Sequence, residues 1–222
     1  QYNIPIRNTL TSAISYVTGS HAFKWGYQWG FGFYDQRREA NADLIQVYRN
    51  GVASSVLVQN TPVFSRPVMK ADLGIYGQDA WTLRRMTLNY GLRWDYFNSY
   101  IRAQDAPAGR FVPARRFDAV HVPTFKDLSP RFGVSYDLFG DGKTAVKGSV
   151  SKYVSKFATD NVNAYNPMFL ASDSRTWTDL NRDDIAQDNE IGPSNNNAFG
   201  IRPSRNPDPK IRREYSLEYT AV

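Results

Sequence analysis

The 222 residues could bury a full hydrophobic core, and their 14% aromatic content contrasts with a hydrophilic mean hydropathy. With no cysteine, disulfides, zinc–thiolate centres and a cysteine nucleophile are excluded. The net charge of +6 is spread over 27 scattered Lys and Arg, so no nucleic-acid partner is expected, and a surface facing anionic lipid headgroups is equally well served.

No stretch approaches the ~20 apolar residues of a membrane-spanning helix, which excludes a helical membrane protein. Gln1 is not an initiator, and the opening residues lack the charged start and apolar centre of a signal peptide. An export signal is therefore expected upstream or already removed, and the chain is expected to be part of a longer one.

An opening strand is expected before Thr18, ending at a tight link at Gly19 and Ser20. Residues 22–37 then alternate without a miss: Phe23, Trp25, Tyr27, Trp29, Phe31 and Phe33 against Lys24, Gly26, Gln28, Gly30, Gly32 and Tyr34. Side chains on a strand point alternately to opposite faces, so one face carries six large rings and the other small or polar groups. Sixteen residues exceed the ~9 to 11 that a tilted strand needs to cross a bilayer, whereas soluble strands cluster near ~5 to 6. Glycines on the inward face leave room for a plug or a neighbouring backbone.

A strand at about 70–81 is less cleanly phased, because Asp79 falls on the lipid side. At 86–100, Leu88, Tyr90, Leu92, Trp94 and Tyr96 face out against Asn89, Gly91, Arg93 and Asp95. At 131–138 the outward set is Phe132, Val134, Tyr136 and Leu138. A strand at about 144–157 places Lys152 outward near its end, and at 214–221 Tyr215, Leu217, Tyr219 and Ala221 face out.

The connections alternate strictly between short links, at residues 19–20, 83–85 and 139–143, and long polar stretches at about 36–66, 101–127 and 158–210. Outer-membrane barrels have tight periplasmic turns and long outer loops, so every second connection must be long. The expected fold is therefore all-β: an antiparallel transmembrane β-barrel fragment of about seven strands with short periplasmic turns and long extracellular loops. Seven strands do not close, since bacterial single-chain barrels have even counts and an open edge leaves backbone groups unpaired in lipid. Residues 1–222 thus read as one partial barrel domain located in the outer membrane.

The runs LGIYGQDAWTL at 73–83 and MTLNYGLRWDY at 86–96 resemble a barrel hairpin of TonB-dependent outer-membrane receptors. LSPRFGVSY at 128–136, leading to GKTAV at 142–146, resembles their next hairpin, with Pro130 and Arg131 at the outer rim. WTDLNRDD at 177–184, NEIGP at 189–193 and NAFG at 197–200 resemble the Oar-like subgroup, whose members usually carry a carboxypeptidase-regulatory-like domain. The resemblance implies a many-stranded barrel, a plug inside it, and an amino-terminal segment engaged by TonB for active uptake. Plug and segment are expected outside these residues, and the cargo is left open among small solute, glycan and peptide. A passive porin or adhesion barrel, and a secreted aromatic-rich carbohydrate-binding β-sandwich, are the alternatives.

Catalytic chemistry has little support. His21 and His121 lie about 100 residues apart without acid–base spacing, no G-x-S-x-G or H-E-x-x-H occurs, and no enzyme is expected. Gly142, Lys143 and Thr144 echo the end of a phosphate-binding loop, but Asp137 replaces its first glycine and a strand follows, so a turn is expected. Asp179, Asn181, Asp183 and Glu190 occupy positions 1, 3, 5 and 12 of a calcium-loop template, although Asp184 replaces the glycine of position 6. Calcium is the one cofactor these residues suggest, against a plain solvated acidic loop. The inward charges Arg93, Asp95, Arg131 and Asp137 read first as a polar barrel wall and secondarily as solute contacts.

Overall fold

The computed structural model describes residues 2–197, 199–200 and 205–222; Ala198, within the run at 197–200, lies outside the described residues. In chain order the strands are β1 (Tyr2–Thr18), β2 (His21–Arg38), β3 (Leu44–Arg49), β4 (Val52–Gln59), β5 (Val63–Ser65), β6 (Pro67–Leu83) and β7 (Met86–Ile101). They continue as β8 (Gln104–Ala106), β9 (Arg115–Phe117), β10 (Val120–His121), β11 (Phe125–Asp137), β12 (Ala145–Val154), β13 (Ser172–Thr176) and β14 (Tyr215–Ala221), with α1 (Thr159–Asn163) after β12.

The main sheet runs β1-β2-β6-β7-β11-β12-β14, every neighbour antiparallel, so all seven expected strands are present and adjacent in chain order. Two-residue turns join β1 to β2 and β6 to β7. Each has a positive φ at its first residue, +53° at Gly19 and +51° at Arg84, as two-residue hairpin turns require. The link from β11 to β12 is longer, and Asp137 holds it by accepting from the amides of Gly140 (2.9 Å) and Gly142 (3.0 Å). The Gly142-Lys143-Thr144 segment is a turn, as its context predicts. Among the described residues β1 and β14 are the edges, and the sheet is not closed.

Registry places the apolar residues in transverse rows on one face. Leu10 lies beside Trp29, Trp29 beside Leu73, Leu73 beside Tyr96, and Ile75 pairs with Trp94 and Trp94 with Leu128. These side chains are open to the surroundings: Trp25 is 45% exposed, Leu92 48% and Phe132 47%. An apolar face of this extent is a liability in water and is covered in a hydrocarbon layer. β2 alone, with 18 residues at ~3.3 Å each, is about 60 Å long, and since a tilted strand crosses the bilayer in ~9 to 11 residues it continues past the hydrocarbon layer.

The uncertain phase of β6 has a local cause. Between the pairs Gly32–Met69 and Gly30–Asp72 the register shifts, and against β7 it shifts again between Met69 and Ala71. The bulge at Lys70 reverses the inward parity, from Met69 above it to Asp72 and Gly74 below. The outward position of Asp79 follows. At Gly32 a Cβ would overlap the Ile6 carbonyl oxygen, so the glycine admits the neighbouring backbone.

Two expectations are corrected. β11 begins at Phe125, so Pro130 and Arg131 lie within the wall, opposite Leu92 and Gly91, rather than at the outer rim. The long polar connections are also folded: β13, β4 and β3 make a separate three-stranded sheet, and β8 pairs with β9. The buried core sits there, not in the membrane part of the wall. One cluster joins Met69, Phe97, Ile101, Val122, Phe125 and Val162; a second joins Leu44, Val56, Val58, Trp177 and Ala186.

Candidate functional site

Phe97, Ile101 and Phe125 are on the inward face of β7 and β11, and α1 and Phe157 pack onto them. The third long connection therefore turns inward over the lumen instead of standing away from it. Arg213, at its end, pairs with inward Asp127 at 2.7 Å and lies 5.7 Å over the Phe125 ring.

Below this infolded segment the wall is polar. Arg7 on β1 pairs with Asp72 on β6 at 2.8 Å, and Arg93 with Asp95 along β7 at 2.8 Å. A side chain at position 74 would collide with Arg93, so Gly74 makes the space in which the guanidinium lies flat. Partly exposed pairs of this kind contribute about 0–1 kcal/mol, so their effect is to fix charge positions more than to hold the fold. Arg131 has no carboxylate partner among the described residues; its guanidinium sits 4.6 Å over Tyr153. Arg7, Asp72, Arg93, Asp95, Ser129 and Arg131 border one cavity of about 290 Å³.

Of the inward charges that alternation identified, Arg93, Asp95 and Arg131 come together here, while Asp137 is committed to its turn. Arg7, Asp72 and Arg213 were missed. Arg7 lies in an opening strand whose phase was not assigned, Asp72 beside the bulge, and Arg213 in a segment that reads as loop.

The acidic loop brings three of its four candidates together. Carboxylate oxygens of Asp179, Asp183 and Glu190 lie within 4.8 Å of one another, and Glu190 is 6% exposed. Asn181 stands beside them, its amide donating to Asp183 at 2.9 Å. Asp179 accepts from the amides of Arg182 (2.8 Å), Asp183 (3.2 Å) and Asp184 (3.1 Å). Asp184 has φ of +59°, so the backbone takes the left-handed conformation for which this position ordinarily uses glycine. Burial first, then the carboxylates of Asp184 and Asp179, push the Tyr48 hydroxyl above its ordinary pKa.

The two histidines are far apart on the wall. His121 pairs with Tyr100 near the outer end and stacks on its ring at 5.5 Å. His21 follows the first tight turn, and its Nδ1 is 2.7 Å from Asp79, which also accepts from the Tyr90 hydroxyl at 2.8 Å and the Ala22 amide at 3.1 Å. This cluster is on the apolar face, so it joins β2, β6 and β7 and offers nothing to the lumen.

A twisted antiparallel wall with one apolar face open to its surroundings, one polar face, short turns at one end and folded connections at the other defines a membrane-spanning β-barrel protein. The family comparison agrees: a model described as an outer membrane beta barrel domain matches residues 3–221, and the chain belongs to that family. Neither the curated proteins nor the solved structures give a match. The protein is located in the outer membrane, and membership points to a transport or porin-like role there.

Proposed function

We propose that the chain forms the wall and outer gate of a TonB-dependent transporter that imports a small solute, glycan or peptide. The infolded third connection carries this reading: α1, Phe157 and Arg213 occupy the luminal side of β7 and β11 and restrict the outer mouth. The likeness of residues 73–96 to receptor hairpins, and of 177–200 to the Oar-like subgroup, supports it. No catalytic step is assigned, and the chemistry is selection and passage.

The test uses the full-length protein in detergent with the purified periplasmic domain of TonB. Saturable binding is expected. Immediate open steps in planar bilayers together with no TonB binding would make the protein a passive pore.

A second reading concerns the acidic loop. The convergence of Asp179, Asp183 and Glu190 favours a structural calcium ion that pins the segment after β13 to the cap, the packed outer connections built on the β13-β4-β3 sheet. Calorimetry of the full-length protein should show calcium binding, Asp179→Ala should abolish it, and chelation should expose the loop near Asp184 to protease. A silent titration would dispose of the idea.

A further inference from the structure

Among the described residues, Lys24, Arg131 and Lys147 are luminal cations not committed to carboxylates. Registry places Lys24, Gln78, Gly91, Arg131 and Ser151 in one transverse row, so Lys24 and Arg131 are three strand spacings apart, about 14 Å at ~4.8 Å each. Lys147 lies farther toward the turns, on the same face as Arg131. The carboxylates near the outer end are spent: Asp72 on Arg7, Asp95 on Arg93 and Asp127 on Arg213. In the row itself the remaining acid is Glu218, two strands beyond Arg131, with no ion pair to it.

Arg131 borders three adjoining cavities of about 460, 290 and 260 Å³; the last also includes Lys24 and Arg93. Beside Arg93 across the β7–β11 pair sits Ser129, which is 2% exposed. Ser129 borders the middle cavity, and its buried hydroxyl has no hydrogen-bond partner among the described residues. A buried hydroxyl without a partner costs free energy unless a ligand supplies one. Cations in excess beside an unused hydroxyl are the donor set of an oxyanion site, and a guanidinium adds bidentate geometry.

We infer that the lumen at Arg131, Lys24 and Ser129, beside the Arg93–Asp95 pair, binds an oxyanion, phosphate or carboxylate in class, and that the transported solute carries such a group. The cavities meet at Arg131, whose guanidinium lies over Tyr153, and the cavity that includes Lys24 continues the positive lining along the row. The solute class rests on the transport reading; binding of the anion does not.

Inorganic pyrophosphate is the probe, titrated calorimetrically into the full-length protein in detergent at low salt, with sucrose as the neutral control. Pyrophosphate should bind saturably and sucrose should not. Arg131→Gln should weaken binding at least ~30-fold, as expected when one partner of a desolvated charge pair is removed, and Arg131→Lys should recover part of it. Ser129→Ala should weaken it less. Unchanged binding in Arg131→Gln overturns the site. So does a silent wild-type titration, in which case other groups of the protein hold these cations. If that silent preparation still binds the TonB domain, the transport reading stands and the anion site alone falls.

Discussion

Asp79 shows how a charge is held on a face made for lipid. It is 4% exposed and accepts three hydrogen bonds, from His21, Ala22 and Tyr90, each from a neighbouring strand. His21 is stacked between Phe23 and Trp81, both at 5.2 Å, which roofs the cluster with aromatic surface. It lies a few residues from the tight turns, where charge on the lipid face costs far less than at the bilayer midplane. Removing the carboxylate leaves the Tyr90 hydroxyl without its acceptor beside hydrocarbon. Asp79→Ala is expected to lower the unfolding temperature of the full-length protein by several degrees, and Asp79→Asn, which keeps one acceptor oxygen, by less. Equal melting of Asp79→Ala and wild type, by circular dichroism, would remove this role. Parity along the sequence located Asp79 on the outer face, but its partners belong to strands whose register no single strand reveals.

Among the elements, the long strands were legible because period two persists over ten or more residues and each strand ends at Gly, Ser or Arg turns. Where the period breaks, legibility stops. The bulge at Lys70 inserts one residue and reverses parity, so the phase read for residues 70–81 does not carry back to Met69. The start of β11 was read six residues late, since Pro130 interrupts the apparent run although it sits opposite Leu92 in the sheet. β3 and β4 escaped because their burial depends on β13, more than a hundred residues later: Val58 pairs with Asp173 and Val56 with Arg175. Composition marked these segments as polar loop, and of their apolar residues Leu44, Val56, Val58 and Trp177 are buried while Ile45, Val47 and Val52 stay exposed. The grouping of Asp179, Asp183 and Glu190 was legible from spacing, because residues of one short loop need no distant register. The luminal cations were legible only in part, since alternation gives the face of Arg131 but not its neighbours Arg7 and Ser129.

For the whole molecule, the lipid-facing assignment makes a spectroscopic prediction. Trp25, Trp29 and Trp94 are on the apolar face, whereas Trp177 is 2% exposed inside the cap. In single-tryptophan variants of the full-length protein reconstituted with brominated lipid, emission from Trp29 should be quenched and emission from Trp177 spared. Absence of quenching at Trp29 would remove the lipid face and favour a soluble sandwich. The same assignment explains a hydrophilic mean composition: lipid covers one side of each strand, water and polar groups the other, and apolar packing is confined to the cap.

That location of the core has a consequence in time. The second cluster takes Leu44, Val56 and Val58 from the first long connection and Trp177 and Ala186 from the third, and a smaller one joins Val63 to Met168. The roof therefore has no stable half. A chain whose first two outer connections had crossed the membrane would hold the wall strands β1, β2, β6, β7, β11 and β12, yet Leu44, Val56, Val58 and Val63 would still lack the partners that the third connection brings. A fault around Trp177 and Ala186 therefore strips the first connection of its core while leaving these wall strands in place.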